Sequence, residues 1–209
     1  MEHPNRQGEE SMSKPDFNWP KKGDQAFPEP NPKGRSGLLE AFIMPLEDTY
    51  LTGFQRAADI IVSAIPILDG TPDSLFFPVA YLYRHHLELM LKELVSLGIQ
   101  MGSLKGCESV LESHNLQMLW KNAKQLIMGR WPKSPGEDMR AADHVVMEFH
   151  KLDPSGQAFR YARDKKGAPS LVDAPRVVDL GNLKAVVDGV SSFLDASYAG
   201  IEASDPGQL

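Results

Sequence analysis

Between residues 47 and 202, apolar side chains recur at three- and four-residue intervals in five separate runs. That spacing follows the 3.6-residue turn of an α-helix, not the two-residue alternation of a strand. It narrows the fold more than any other feature. A helix that is apolar on one side must bury that side against another element.

The first run, about 47–66, carries Phe54, Ala57, Ala58, Ile61 and Ile65, and is closed by Pro66 and the turn-forming DGTP. The second, about 75–97, has Asp73 or Ser74 as a cap, Pro78 in its first turn and Gly98 as its stop. The third starts after Ser113 and reaches about 128, with Leu116, Leu119, Trp120, Ala123 and Ile127 on one stripe. The fourth covers about 137–152, with Ala142, Val145, Val146 and Phe149 inward. The fifth covers about 181–202, is capped by Asp179 and points Leu183, Val186, Val187, Val190, Phe193 and Leu194 inward. Between the last two, residues 159–178 hold one glycine and two prolines between short β-prone ends, which predicts a small β-hairpin or an ordered loop. The expected fold is all-α, an up-and-down bundle of four to five helices.

Residues 1–36 contain six of the sixteen prolines and few aliphatic side chains, so they predict a flexible arm. Phe17, Trp19 and Phe27 would let that arm dock on the bundle or on a partner protein. Residues 37–203 then form a single bundle domain and 204–209 a flexible tail.

Lysine and arginine number 22 against 28 acidic residues, a net charge of −6. That balance excludes broad electrostatic binding of nucleic acid, though a local basic patch stays open. The single cysteine, Cys107, excludes an intrachain disulfide and suits a reducing compartment. No apolar run nears the roughly 18 residues of a membrane span, and the polar N-terminus has no signal-peptide core. The expected location is cytoplasmic, away from any membrane.

The stretch LYRHHLELMLKELV, residues 82–95, concentrates polar groups within a leucine-rich helix. Leu87, Met90, Leu91 and Leu94 make its apolar stripe. Arg84, Glu88 and Lys92 are four apart on the other flank, where a solvated ion-pair ladder is expected. His85 and His86 point about 100° apart on a helix, so they cannot share a metal. No zinc, phosphate-loop or dinucleotide motif occurs, and no metal or cofactor is expected. His114, read as the first turn of the third helix, is expected to be neutral and bonded to backbone or to a facing helix. In FRYARD, Arg160 and Arg163 flank Tyr161, a grouping able to grip a phosphate and stack a base. The plainer reading pairs those arginines with Asp153, Asp164 or Glu88. Cys107 has no histidine nearby in sequence and is a weak nucleophile candidate.

Taken in order, YLYRHHLELMLKELV, SHNLQMLW and FRYARD resemble the HEPN superfamily over about residues 74–200. The resemblance implies a helical bundle that dimerises, and the Val-rich face of the last helix is the candidate for pairing. It also implies RNA or a nucleotide as ligand, in a prokaryotic stress, toxin–antitoxin or phage-defence setting. The ligand-binding candidates are Arg84, His85, Glu88, His114, Arg160, Tyr161 and Arg163, which act together if they converge in one cleft. The superfamily's nuclease signature is an arginine and a histidine separated by four to six residues. None of the arginines here has a histidine at that separation. The nearest approach is Arg140-Ala-Ala-Asp-His144, which puts both side chains on one helical face. Arg140 and His144 are therefore the candidates for a variant catalytic pair, or else exposed neighbours. The expected function is RNA or nucleotide binding without that signature. The alternatives are a metal-independent ribonuclease with a variant arginine–histidine site and a protein-interaction module.

Overall fold

A computed structural model describes residues 22–27, 46–65, 73–132, 136–172 and 174–204. Residues 1–40 and 41–209 form two separate units. Of the first, residues 22–27 form exposed turns, with Gly23 at φ +99°. The rest of the expected arm, including Phe17 and Trp19, lies outside the described residues, as does most of the expected tail.

The second unit is all-α. It comprises α1 (Leu46–Ala64), α2 (Asp73–Gln100), a 3-10 turn (Glu108–Glu112), α3 (Leu116–Arg130), α4 (Glu137–Leu152) and α5 (Leu180–Glu202). Helices α2, α3, α4 and α5 each pack on the next, α5 returns to α2, and α1 lies on α2 and α5. The bundle is the one that apolar stripes joined by short connections require.

Helix α2 sits at the centre, packed on α1, α3 and α5. It buries Val79, Tyr83, Leu87, Met90, Leu91, Leu94 and Val95, which point to several sides. This corrects the expected solvated ladder. Arg84 and Glu88 are 2% and 1% exposed, because a helix with neighbours all round has no wet flank at its middle. The expected stop at Gly98 is also corrected. The helix continues to Gln100 and closes with Gly102 at φ +70°, where the amide of Ser103 donates to the Gly98 carbonyl and that of Gly102 to Ile99. That is the reciprocal bonding of a Schellman terminus. Pro78 lies one turn deeper than expected, in the second turn.

The α3 cap is Asn115, whose side chain accepts from the Met118 amide at 3.0 Å. His114 therefore precedes the helix rather than opening it. Asp179 caps α5 as expected, accepting from the Asn182 amide at 2.9 Å. On α5, Val187, Val190 and Leu194 lie in the core, while Leu183, Val186 and Phe193 are half-buried. On α1 only Ala58 of the stripe is fully buried, because this helix lies on the outside.

Residues 153–172 and 174–179 form the ordered loop that was one of the two expectations. The hairpin shrinks to one antiparallel bridge between Arg163 and Pro169, and no strand occurs among the described residues. The turn is held by Asp164, whose Oδ1 accepts from the amides of Lys166 (2.8 Å) and Ala168 (2.9 Å). Among the described residues, no helix is long and apolar enough to cross a membrane.

Candidate functional site

At the middle of α2, Arg84 uses its guanidinium on three partners of its own chain. Its Nη1 donates to Glu88 Oε2 (2.9 Å), its Nη2 to the His114 carbonyl (2.7 Å) and its Nε to the Asp153 carbonyl (3.1 Å). Asp153, fully buried, also places Oδ2 3.3 Å from the same Nε. The other Asp153 oxygen accepts from the amides of Gln157 (2.7 Å) and Ala158 (2.9 Å), which shapes the turn after α4. Gly156 completes that turn at φ +75°, and a Cβ there would lie 3.1 Å from Arg84 Nη1. Glycine is needed on both counts. Arg84 thus binds α2 to the loop before α3 and to the turn after α4.

Glu88 is the second hub. Its Oε1 accepts from His114 Nδ1 (2.8 Å) and Lys92 Nζ (2.9 Å). Burial pushes its carboxyl upward, yet the bonds from Lys92, His114 and Arg84 outweigh this and hold it below the usual carboxylate range. It is a buried anion. His114 differs in kind: its side chain is 62% exposed. Because Nδ1 faces a carboxylate, it carries a hydrogen and donates it to Glu88.

Beside this cluster runs a continuous line of rings and cations. Tyr50 stacks on Phe54 (6.3 Å between centroids) and Phe54 meets His85 edge-on (4.4 Å). His85 stacks on Tyr81 at 5.8 Å with 9° between planes. The Arg160 guanidinium lies 5.6 Å from the Tyr81 ring and 5.7 Å from the Tyr161 ring. Arg160 Nε donates to the Gly156 carbonyl (2.8 Å), which fixes the head of the side chain by one edge. Both end members, Tyr50 and Tyr161, are 56% exposed. Burial lowers the pKa of His85, so its ring is uncharged at neutral pH and free to stack.

The structure therefore brings Arg84, His85, Glu88, His114, Arg160 and Tyr161 into one region. It divides them by depth. Arg84 and Glu88 are themselves buried, and the Arg84 donors and the Glu88 oxygens already serve partners within the chain. They frame the site. His85, His114, Arg160 and Tyr161 reach the surface. Arg163 is exposed, but its Nη1 donates to Gly167 within its own turn (2.8 Å). Arg140 and His144 are exposed on α4 and belong to neither the cluster nor the line of rings. His144 Nε2 lies 3.5 Å from Glu148, at the rim of a groove of about 640 Å³ floored by Phe76, Phe149 and Phe159.

Sequence reasoning missed Tyr50, Phe54 and Tyr81. Tyr81 and His85 are four apart, a spacing that stacks side chains on a helix, and this signal was present. Phe54 belongs to the apolar stripe expected of α1, Tyr50 carries no expected role, and nothing local marks either otherwise. No group of three or more metal-ligating side chains occurs among the described residues. Comparison of the chain with protein-family models, curated proteins and solved structures gives no match.

Proposed function

We propose that this chain is a HEPN-like helical protein that binds single-stranded RNA or a nucleotide on the face of Tyr81, His85, Arg160 and Tyr161. The observation that carries this reading is the Tyr50–Phe54–His85–Tyr81–Arg160–Tyr161 line, which is exposed at both ends. Unpaired bases stack on aromatic faces and on guanidinium planes, so a surface of this type suits them. Arg160 is held through Nε, which leaves its two terminal nitrogens for a phosphate. Lys165 and Lys166 follow in the exposed turn and add local positive charge to an acidic chain.

The test is fluorescence anisotropy with a labelled single-stranded RNA dodecamer. Tyr161→Ala and Arg160→Ala should each weaken binding by about 1–3 kcal/mol, the usual scale for one base–aromatic stack. Lys105→Ala, on the exposed loop after α2, is the control and should leave the affinity unchanged. Affinity should fall only gently with salt, because few cations face the ligand. Wild type that binds no RNA, or binding untouched by both substitutions, would reject the proposal.

A further inference from the structure

We infer that the groove between α4, α5 and the loop before α5 is a binding site for a long-chain alkyl carboxylate. None of the residues lining it belongs to the line of rings, so this site is independent of the RNA reading.

Three observations carry it. The first is a gap in the core. Periodicity turns Val145 of α4 and Leu183 and Val186 of α5 inward, yet all three are only half-buried and line the groove of about 640 Å³. That volume lies within the roughly 300–1,000 Å³ of ordinary small-molecule sites. The second is a rigid floor. Phe159 meets Phe76 edge-on at 6.1 Å and Phe149 at 6.5 Å, and Phe149 and Phe159 are 6% and 5% exposed. Rings locked in the core do not collapse into the space above them. The third is the distribution of polarity. Floor and walls are phenylalanine, valine and leucine side chains, which offer no donor or acceptor. The polar lining residues, His144, Glu148, Lys151, Asp179 and Asn182, are all exposed at the rim. An occupant must therefore be apolar along its body and polar at one end. A sugar, a nucleotide or an extended peptide would leave polar groups unbonded against the floor.

The rim sets the sign of the head group. Glu148 lies 3.5 Å from His144 Nε2, and Asp179 Oδ1 accepts from the Asn182 amide at 2.9 Å. Both carboxylates thus serve groups of their own chain. Among the described residues, Lys151 has no such partner. An ammonium at the edge of an apolar groove suits a carboxylate whose alkyl chain lies on the phenylalanine floor. Val177, 87% exposed on the loop, lines the same groove and is placed to cover that chain. A free acid fits better than a lipid within a bilayer, because the groove is concave and a chain must leave the membrane to fill it.

The experiment is isothermal titration calorimetry of the full chain with octanoate, decanoate and dodecanoate, each below its micelle concentration. One acid should bind per chain, and Kd should tighten about fourfold for each added CH₂ until the groove is filled. Lys151→Glu should weaken decanoate by about fivefold and leave decanol, which has no charge, unchanged. Val186→Trp, with its fold checked by thermal melting, should fill the groove and weaken both ligands by about tenfold. Val177→Asp tests the same groove at an exposed position, where the fold is not at stake, and should weaken both by about threefold. No saturable binding at any length, or an affinity independent of length, would overturn the site. So would several acids bound per chain with no response to Val186→Trp and Val177→Asp, which is adsorption to the surface. Capture by anionic vesicles without binding of the free acids would replace it with a lipid surface. An unchanged decanoate affinity in Lys151→Glu, or an equal loss for decanol, would overturn the carboxylate head group.

Discussion

Arg84 shows how one side chain can change meaning between sequence and structure. Read along the chain it is a helical arginine four residues from a glutamate, a pair worth a few tenths of a kcal/mol at a surface. In the bundle the same pair is buried, and the guanidinium also binds two carbonyls from distant segments. The energetics change with the burial. Removing one member of a buried ion pair leaves the other charged and unsolvated, at a cost of about 3–5 kcal/mol. Arg84→Ala should therefore destabilise the fold by about that much, because Glu88 and Asp153 both lose a partner. Denaturant unfolding measures it. A loss below about 1 kcal/mol would mean that the pair is as weak as an exposed one. His114 is exposed at its ring, and Glu88 Oε1 keeps Lys92 when the ring is removed, so His114→Ala should cost less, about 1 kcal/mol.

The elements are ordered by their termini and by close contacts at glycine. Caps at Asn115 and Asp179 fix the starts of α3 and α5 through single side-chain bonds. Helix α2 ends at Gly102, and Gly98 has a different task. An added Cβ at Gly98 would meet Leu104 Cδ1 at 2.6 Å and Cγ at 2.9 Å, with Leu126 Cδ2 at 3.1 Å. Gly53, inside α1, has nothing within 4 Å of the same hypothetical atom. The two glycines should answer one substitution with opposite signs. Gly53→Ala should stabilise by up to about 1 kcal/mol through helix propensity alone. Gly98→Ala should destabilise by about 1–3 kcal/mol, because the buried Leu104 must move out of a packed site. Paired thermal melts decide this. A gain at both positions would show that the loop after α2 yields easily.

Across the whole molecule, the polar groups that join helices set the response to pH. His86 lies almost fully buried between α1, α2 and α5, with Nδ1 donating to the Leu51 carbonyl (2.9 Å) and Nε2 accepting from Ser191 Oγ (2.8 Å). Burial lowers its pKa, as it does those of His85 and His150. The unfolded chain takes up protons at these sites near pH 6.5, where the folded chain still resists them. Their contribution is complete above that value and is lost as pH falls through the lowered folded values. The melting temperature should therefore drop between pH 7.5 and 5.5, and His86→Gln should reduce the slope. A flat profile across that range would contradict the burial of these rings. A second loss belongs to Glu88, whose lowered pKa places its contribution above the unfolded carboxylate range and removes it in stronger acid.

Five helices, the cap at Asp179 and the all-α bundle were legible from periodicity and end signals, because an amphipathic run carries its own burial requirement. Of the polar residues singled out along the chain, Arg84, Glu88 and His114 share one set of bonds, and His85, Arg160 and Tyr161 share a line of ring contacts with Tyr81. Their roles were not legible. Which charge is buried and which ring is exposed depend on the neighbours that α2 acquires, and those lie 26 to 69 residues away along the chain. Local sequence determines the shape of a helix and the side of it that avoids water. Only the packing of other segments around α2 could turn a modest surface pair into a buried anchor and hold His114 open beside it.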